Sequence, residues 1–416
     1  MMNSGAPTPV FGLLGKKLGH SYSPQLHREL GGYDYGLFEK PPEELEDFLL
    51  SGDFQGINVT IPYKQTVLPH CHQLSSAAAA IGSVNTIVRQ EDGTLFGDNT
   101  DAAGFLYLLE GSGVSIQGKK VLVLGSGGSS RTVGYVLEQV GAGEIIIISR
   151  SGPVGYEDIT SHLDCRILVN TTPVGMYPDN GASAVDLSRF PELELVADLI
   201  YNPERTRLLQ QAALLKIPAV GGIGMLAAQA AAASELFTGI PWEPGRLQEV
   251  IRKIRLQNLN VVLVGMPGSG KTAIGKALGQ LMDRPVVDTD QEIERLQGKS
   301  IPEIFSTEGE QAFRSYETQA IQEAGSRSGL IITTGGGCVT QSGNYWPLQQ
   351  NGVILFLNRD LQLLAREGRP LSGGNLAAMF EKRLPLYEAF SDGQFHNDGT
   401  VAEAAEKALE LFWQLV

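Results

Sequence analysis

Short apolar runs bounded by glycine, proline or polar turns recur along the chain, and amphipathic stretches lie between them. The runs Val10 to Leu14, Gly56 to Ile61, Val121 to Leu124, Glu144 to Ser149, Ile167 to Asn170, Val196 to Leu199, Val261 to Val264, Leu330 to Thr333 and Val353 to Leu357 are too short for core helices and predict strands. Strands alternating with helical stretches predict an α/β protein built on parallel sheets. Two of these strands lead straight into glycine loops. "VLVLGSGGSSRTVGYVLEQVGAGEIIIISR", from Val121, reads as strand, glycine loop, helix and second strand, the outline of a dinucleotide-binding unit. "NVVLVGMPGSGKTAIG", from Asn260, opens another such unit of a different kind. Between them "TGIPWEPGRLQEVIRKIRLQNLN" reads as a turn region and a short basic-edged helix, which puts a domain boundary near Gln257.

The most membrane-like stretch, "IPAVGGIGMLAAQAAAASELF" from Ile217, contains Pro218, glycines and Gln229, and it predicts a buried or interdomain helix. At 416 residues the chain is too long for one core, since domains run at roughly 100 to 200 residues. The first part divides into an opening segment (8–102) with a return segment (225–256), and a dinucleotide unit (103–224) between them. A P-loop domain fills 257–416.

Charge narrows the partners. The net charge of −14 divides into −8 before Gln257 and −6 from there onward. Two acidic parts argue against nucleic acid or an anionic membrane as partner, so anionic small molecules must be held by a few placed cations and backbone amides. The three cysteines, Cys71, Cys165 and Cys338, have no metal-ligand spacing and suit a reducing cytosol. The opening "MMNSGAPTPVFGLL" lacks a basic region followed by a long apolar segment, so no signal peptide is expected.

The loop Gly125-Ser126-Gly127-Gly128 lets a pyrophosphate approach the backbone at a helix N-terminus. The following strand ends in Ser149-Arg150, with no carboxylate for a ribose 2′-hydroxyl and with a guanidinium suited to a 2′-phosphate, which favours NADP over NAD. Around this unit "GKKLGHSYSPQLH", "GINVTIPYK", "AIGSVNT", "GDNTDAAGF", "NTTPVGM" and "GIGMLAAQA" occur in order, and residues 10–240 resemble the shikimate dehydrogenase family. The resemblance implies a two-domain α/β fold with a Rossmann-like NADP domain. It also implies that Ser21 and Ser23 bind the substrate carboxylate and that Thr60, Asn85 and Gln229 hold its hydroxyls. Tyr201 would lie near the nicotinamide and the carboxylate, and Lys64 and Asp101 would be the catalytic pair. Gly125, Gly127, Gly128, Ser149, Arg150 and Gly224 would line the NADP(H) site. A lysine beside an aspartate can protonate or polarise the alkoxide that hydride transfer creates, with the aspartate orienting the ammonium. Family members commonly carry asparagine in place of Ser149 and a longer excursion after Arg150. Only 19 residues separate Arg150 from Asn170, so a helix is expected to be shortened or lost there.

"GMPGSGKT", from Gly265, fits the full P-loop pattern between a strand and a helix. Its amides, with Gly268, Ser269 and Gly270, would cradle ATP phosphates, while Lys271 reaches the β/γ oxygens and Thr272 ligates Mg²⁺. "VVDTDQEI" is expected to place Asp288 and Asp290 on one side of a strand end by period two, one serving the metal and the other the acceptor hydroxyl. Arg314 and Glu317 in "FRSYE" lie three apart on a helix, so the glutamate can brace the guanidinium. With "TTGGGCV" and "GRPLSGGNLAAMFEKRLPLY", residues 258–416 resemble the shikimate kinase family. That resemblance implies that Arg314, Arg383 and the Gly336 amide clamp a shikimate carboxylate, that Asp290 receives the hydroxyl, that Arg369 comes from a closing lid, and that Asp288 joins Thr272 at the metal.

Together the resemblances imply successive steps of aromatic amino-acid biosynthesis: NADPH-dependent reduction of 3-dehydroshikimate, then MgATP-dependent phosphorylation of the hydroxyl just made. Rival readings make one half a non-catalytic module or one that acts on quinate or another polyol. The first predicts a missing catalytic group, and none is missing.

Overall fold

The structure, a computed structural model, describes residues 10–19, 21–364 and 376–416. Its strands form three sheets, and the elements divide into two compact units. Unit 1 runs over Met1–Val174, Ser183–Tyr201 and Gln211–Arg252; unit 2 takes Lys253–Val416 together with the short segments Gly175–Ala182 and Asn202–Gln210. Those segments are tied into unit 2 by hydrogen bonds. Arg205 Nη1 donates to the Gln349 and Gly352 carbonyls (3.0 and 2.9 Å), and Asn180 Nδ2 donates to Gln350 Oε1 (3.0 Å).

The first sheet of unit 1 contains β1 (Phe11–Gly15), β2 (Tyr35–Glu39), β3 (Gly56–Val59), β4 (Gln73–Leu74), β5 (Thr86–Arg89) and β6 (Leu95–Asp98), in the order β2-β1-β3-β5-β6-β4. It is mixed, because β5 runs antiparallel to both β3 and β6. Of these strands only β1 and β3 were legible as apolar runs. The others are short or half exposed, so neither an apolar run nor clean alternation marks them. The second sheet is parallel throughout: β7 (Lys120–Leu124), β8 (Glu144–Ile148), β9 (Ile167–Asn170), β10 (Leu195–Asp198) and β11 (Ala219–Gly221), in the order β11-β10-β9-β7-β8. Strands β7, β9 and β10 are buried almost end to end, as expected of a sheet covered on both faces. Between β8 and β9 the connection holds only a 3₁₀ segment, Tyr156–His162, in line with the shortened excursion read from the sequence.

Unit 2 is a parallel sheet of β12 (Asn260–Val264), β13 (Val286–Asp288), β14 (Ile331–Thr333), β15 (Gly352–Asn358) and β16 (Gly393–His396), ordered β13-β14-β12-β15-β16. Apolar clusters fill both faces, one around Ile332, Phe356 and Tyr387 and the other around Leu263, Leu355 and Phe412. Each such fully buried side chain contributes about 1.5–3 kcal/mol relative to exposure. The Ala-rich stretch forms the helix Gly222–Thr238, and no helix among the described residues is long and apolar enough to cross a membrane.

Two helices of unit 1 approach closely. A Cβ on Gly104 would lie 2.6 Å from the Met225 carbonyl and 3.0 Å from Gln229 Cβ, so glycine is what allows Asp101–Gly111 to pack on Gly222–Thr238. Asp101 and Gln229 are thereby set in the same neighbourhood.

His27 is only 1% exposed, stacked on Tyr35 with ring centroids 4.1 Å apart, and its Nδ1 lies 2.7 Å from the Tyr33 hydroxyl. Burial lowers its pKa to about 3. A lowered folded-state pKa gives stability that is full above the ordinary value of 6.5 and is lost as pH falls toward 3. Between pH 7 and pH 5 this one group is expected to cost about 2 kcal/mol. Urea titrations at the two pH values should therefore show a smaller acid loss for His27→Phe than for the wild type. Equal losses would mean that His27 is protonated in the folded protein.

Candidate active sites

In unit 1 the ends of several elements converge. The helix Ser23–Gly31 begins just after Ser21, whose Oγ accepts the Ser23 N–H (3.2 Å), so both hydroxyls sit at the helix N-terminus. Thr60 follows β3, Lys64 lies in the next turn, and Asn85 immediately precedes β5. Asp101 occupies the first turn of the helix Asp101–Gly111, where the helix dipole favours a carboxylate. Lys64 Nζ lies 2.5 Å from Asp101 Oδ2, across 37 residues of sequence. Asn85 Oδ1 accepts the Thr100 N–H (2.7 Å), which leaves its Nδ2 to meet a ligand oxygen. Ser21, Ser23, Thr60, Lys64, Asn85, Asp101, Tyr201 and Gln229 all line one cavity of about 260 Å³, within the range of a small hydroxylated acid.

Beside it lies the crevice where strand order reverses between β7 and β9, the usual ligand position in an open parallel sheet. Gly125 (φ 103°) turns the chain after β7, and Gly127 caps the helix Gly128–Gln139 without a side-chain hydrogen bond. The space that a Cβ on Gly127 or Gly128 would enter is open. The helix N–H groups are thus approachable by an anion. After β8, Ser149 Oγ is buried without a hydrogen-bond partner among the described residues, and the exposed Arg150 is next in the chain. An orphaned hydroxyl beside a guanidinium suits a ribose phosphate, so these residues fit NADP(H).

Unit 2 carries the second site, a cavity of about 500 Å³ lined by Gly268, Gly270, Lys271, Thr272, Asp290, Arg314, Gly336 and Arg383. Gly270 (φ 104°) caps the helix Lys271–Met282 in the left-handed region that an L-residue enters only with strain. Lys271 Nζ donates to the Gly265 and Met266 carbonyls (2.9 and 3.0 Å). The lysine therefore lies along the loop whose phosphates it would bind. Ser269 Oγ is buried without a hydrogen-bond partner among the described residues. Thr272 Oγ1 lies 2.7 Å from Asp288 Oδ2, a pair of hard oxygen donors at the loop exit that fits Mg²⁺ with phosphate and water completing its shell.

One expectation about Asp288 and Asp290 is corrected. They do not project together from an extended strand. Asp288 ends β13 and caps the helix Thr289–Gln297, accepting the N–H groups of Asp290 and Gln291 (3.1 and 3.3 Å), so Asp290 lies in the first helical turn. Capping overrides the period-two geometry.

On the helix Gly309–Ser326, Arg314 Nη1 donates to Glu317 Oε2 (2.8 Å) and Nη2 to Glu310 Oε1 (3.1 Å). Burial works against the Arg314 charge, but the two carboxylates outweigh it and hold the guanidinium protonated. Burial pushes Glu317 upward, with Arg314 opposing. Arg383, on the helix Leu376–Phe390, donates to the Gly336 carbonyl (3.1 Å), and so does the Tyr387 hydroxyl (2.6 Å). Two guanidinium groups and a glycine nest thus face one cavity.

Comparison with known proteins follows the same division. Residues 13–87 match the family model of the shikimate dehydrogenase substrate binding domain. A shikimate dehydrogenase (NADP(+)) of Methanopyrus kandleri is 39% identical over 266 residues, which cover 56% of this chain and 91% of that protein. The chain belongs to the shikimate dehydrogenase family. Residues 267–412 match the family model of shikimate kinase, so a kinase domain follows the dehydrogenase. Among solved structures, a chorismate mutase/shikimate 5-dehydrogenase fusion protein from Clostridium acetobutylicum superposes with a TM-score of 0.57 at 34% identity, over 60% of this chain and 98% of the other. The shikimate 5-dehydrogenase of Thermus thermophilus, in complex with NADP(H) and shikimate, gives 0.53 at 35% identity, over 58% and 98%.

One glycine expected in the dehydrogenase site, Gly224, faces a neighbouring helix. A Cβ on Gly224 would face Leu108 and Tyr107 of the neighbouring helix, whereas Gly222 lines the dehydrogenase cavity. Arg369 lies outside the described residues. Asn58 also lines the dehydrogenase cavity; it is buried within β3, with Oδ1 accepting from Tyr35 (2.7 Å) and Nδ2 donating to Thr86 Oγ1 (3.0 Å). A lone polar residue inside the buried strand "GINV" was the signal for it. Arg359, in the kinase cavity, was also missed; only its place just after a buried strand could have pointed to it.

Proposed function

We propose that the dehydrogenase part, about residues 1–256, reduces 3-dehydroshikimate to shikimate with NADPH, and that the kinase part, about 257–416, transfers phosphate from MgATP to the hydroxyl so formed. The observation that carries the reading is the convergence of eight residues from dispersed motifs on one cavity, with Lys64 and Asp101 in contact inside it. Ser21 and Ser23 would hold the carboxylate, and Thr60, Asn85 and Gln229 the hydroxyls, with Tyr201 toward the nicotinamide. NADPH, when bound, supplies the hydride. The Lys64 ammonium donates its proton to the oxygen that becomes the 3-hydroxyl, and Asp101 keeps that ammonium charged and aimed.

In the kinase, Arg314 and Arg383 with the Gly336 amide would grip the carboxylate by charge-assisted hydrogen bonds. Asp290 would take up the hydroxyl proton, Lys271 the charge on the transferring phosphoryl, and Thr272 with Asp288 the Mg²⁺. Arg369 is proposed as the lid cation. MgATP supplies the phosphoryl group and the cation that neutralises it. NADPH and ATP as co-substrates also support a cytoplasmic setting. Incubating the full chain with 3-dehydroshikimate, NADPH and MgATP tests the reading. NADPH oxidation should proceed without ATP, and ADP release should require prior reduction or added shikimate. ADP release with 3-dehydroshikimate alone would refute the order.

Cofactor choice has its own test. Arg150→Ala is expected to weaken NADPH about tenfold to a hundredfold, the scale of one charge-assisted contact, and NADH much less. Equal losses in KM for both cofactors would remove Arg150 from the 2′-phosphate.

A further inference from the structure

We infer that Arg359 is a second phosphate-binding cation of the kinase site, contacting the polyphosphate of ATP and of product ADP from the end of the strand next to the one that leads into the P-loop. The inference rests on the reading of the P-loop as the ATP site.

In unit 2 the chain leaves β12 for β13 and β14 on one side and then passes to β15 and β16 on the other. Ligands of open parallel sheets bind outside the strand C-termini at such a reversal. The P-loop follows β12 there. Arg359 follows β15, which pairs in register with β12 from Asn260↔Gly352 to Val264↔Phe356. The pairing delivers the arginine to the same end of the sheet as the phosphate loop, one strand away.

The local geometry is consistent with that placement. Arg359 lines the same cavity as Gly268, Lys271 and Thr272. A Cβ on Gly270 would stand 3.7 Å from Arg359 Nη1 and 3.0 Å from Asn397 Nδ2, so the guanidinium lies against the last loop residue before the lysine. Asn397 Nδ2 donates to the Ser269 carbonyl (2.8 Å) and pins the loop at this point.

The chemistry is that of a cation held for a ligand. Among the described residues Arg359 Nε is buried with no hydrogen-bond partner, an unfavourable state for a guanidinium that binding of an anion would relieve. No carboxylate among the described residues forms an ion pair with it, in contrast to Arg314, which has two. A planar fork beside a loop of phosphate-binding amides matches phosphate oxygens. The side facing Gly270 puts it nearer the nucleotide than the cluster of Arg314 and Arg383, so its effect belongs to the nucleotide and not to the acceptor.

The test uses the full chain and two substitutions, Arg359→Met, which keeps bulk without charge, and Arg359→Lys. Steady-state kinase kinetics give KM for ATP and for shikimate, and titration calorimetry gives Kd for ADP. Dehydrogenase activity of the same preparation reports on folding of the chain. Arg359→Met is expected to raise the ATP KM and the ADP Kd together by about tenfold or more, with the shikimate KM within about twofold and Arg359→Lys intermediate. Inhibition by adenosine, which lacks phosphate, should be unchanged. An ATP KM within about twofold of wild type, or an equal loss of adenosine affinity, overturns the proposal. Lys271→Ala is the control for the underlying reading: if it also leaves ADP binding unchanged, the nucleotide site itself is misplaced. If only Arg359→Met is silent, the fault lies with Arg359 alone.

Discussion

Lys64→Ala is expected to lower shikimate oxidation and 3-dehydroshikimate reduction by two to four orders of magnitude, the range over which positioned acid–base groups act. The geometry makes this loss sharp. The ammonium and the Asp101 carboxylate are 2.5 Å apart and only partly exposed, in a cavity whose other polar groups are hydroxyls and amides. The serines and amides can hold substrate after the lysine is gone, but none of them can deliver a proton to an alkoxide at neutral pH. The loss should therefore fall mainly on kcat, with the shikimate KM changed less. Asp101→Asn should give a smaller fall, because the ammonium survives but loses the partner that aims it. Stopped or steady-state assays in both directions, with kinase activity of the same preparation as the internal standard, read the effect. A Lys64→Ala enzyme with kcat within tenfold of wild type would show that water or another group protonates the product.

Lys271→Ala should have the converse effect, abolishing phosphorylation to at least two orders of magnitude below wild type while leaving the dehydrogenase intact. Removing one preorganised charge that faces developing transition-state charge costs on this scale. Here Lys271 is the cation on the P-loop itself, 8% exposed and already bonded to the Gly265 and Met266 carbonyls. Those carbonyls need a new partner once the ammonium is gone, so ADP affinity should also fall. Asp290→Asn probes the acceptor side of the same cavity. It keeps the size of the group and removes its capacity to take the hydroxyl proton, so kcat should fall by about 10² to 10⁴ while ADP binding persists. The pair of variants separates nucleotide binding from acceptor activation. Loss of ADP binding in Asp290→Asn, or its full retention in Lys271→Ala, would reverse the roles assigned to them.

The sequence alone determined the parts whose signal is local. The buried strands of the second and third sheets read as apolar runs because a strand covered on both faces needs no polar alternation. The two glycine loops were legible because the backbone conformations they need, such as φ 103° at Gly125 and 104° at Gly270, are open to glycine and little else. The small strands β2, β4, β5 and β6 gave no such run, and they were found only once the sheet was assembled.

Contacts across the chain were decided by tertiary structure. That Lys64 meets Asp101 depends on a turn after β3, a helix start after β6 and the close helix packing allowed by Gly104, none of which is a property of either residue. The orientation of Asp290 followed from Asp288 acting as a helix cap, a local bond that outweighed strand periodicity. Arg359 carried no signal of its own, because a single arginine after an apolar run is ordinarily a solvated surface charge. Only the pairing of β15 with β12, which brings residues about 90 positions apart into register, set it beside the P-loop. Periodicity reports which side of an element is buried; which distant side chains then share a cavity is decided by how the elements pack, and that is a property of the whole chain.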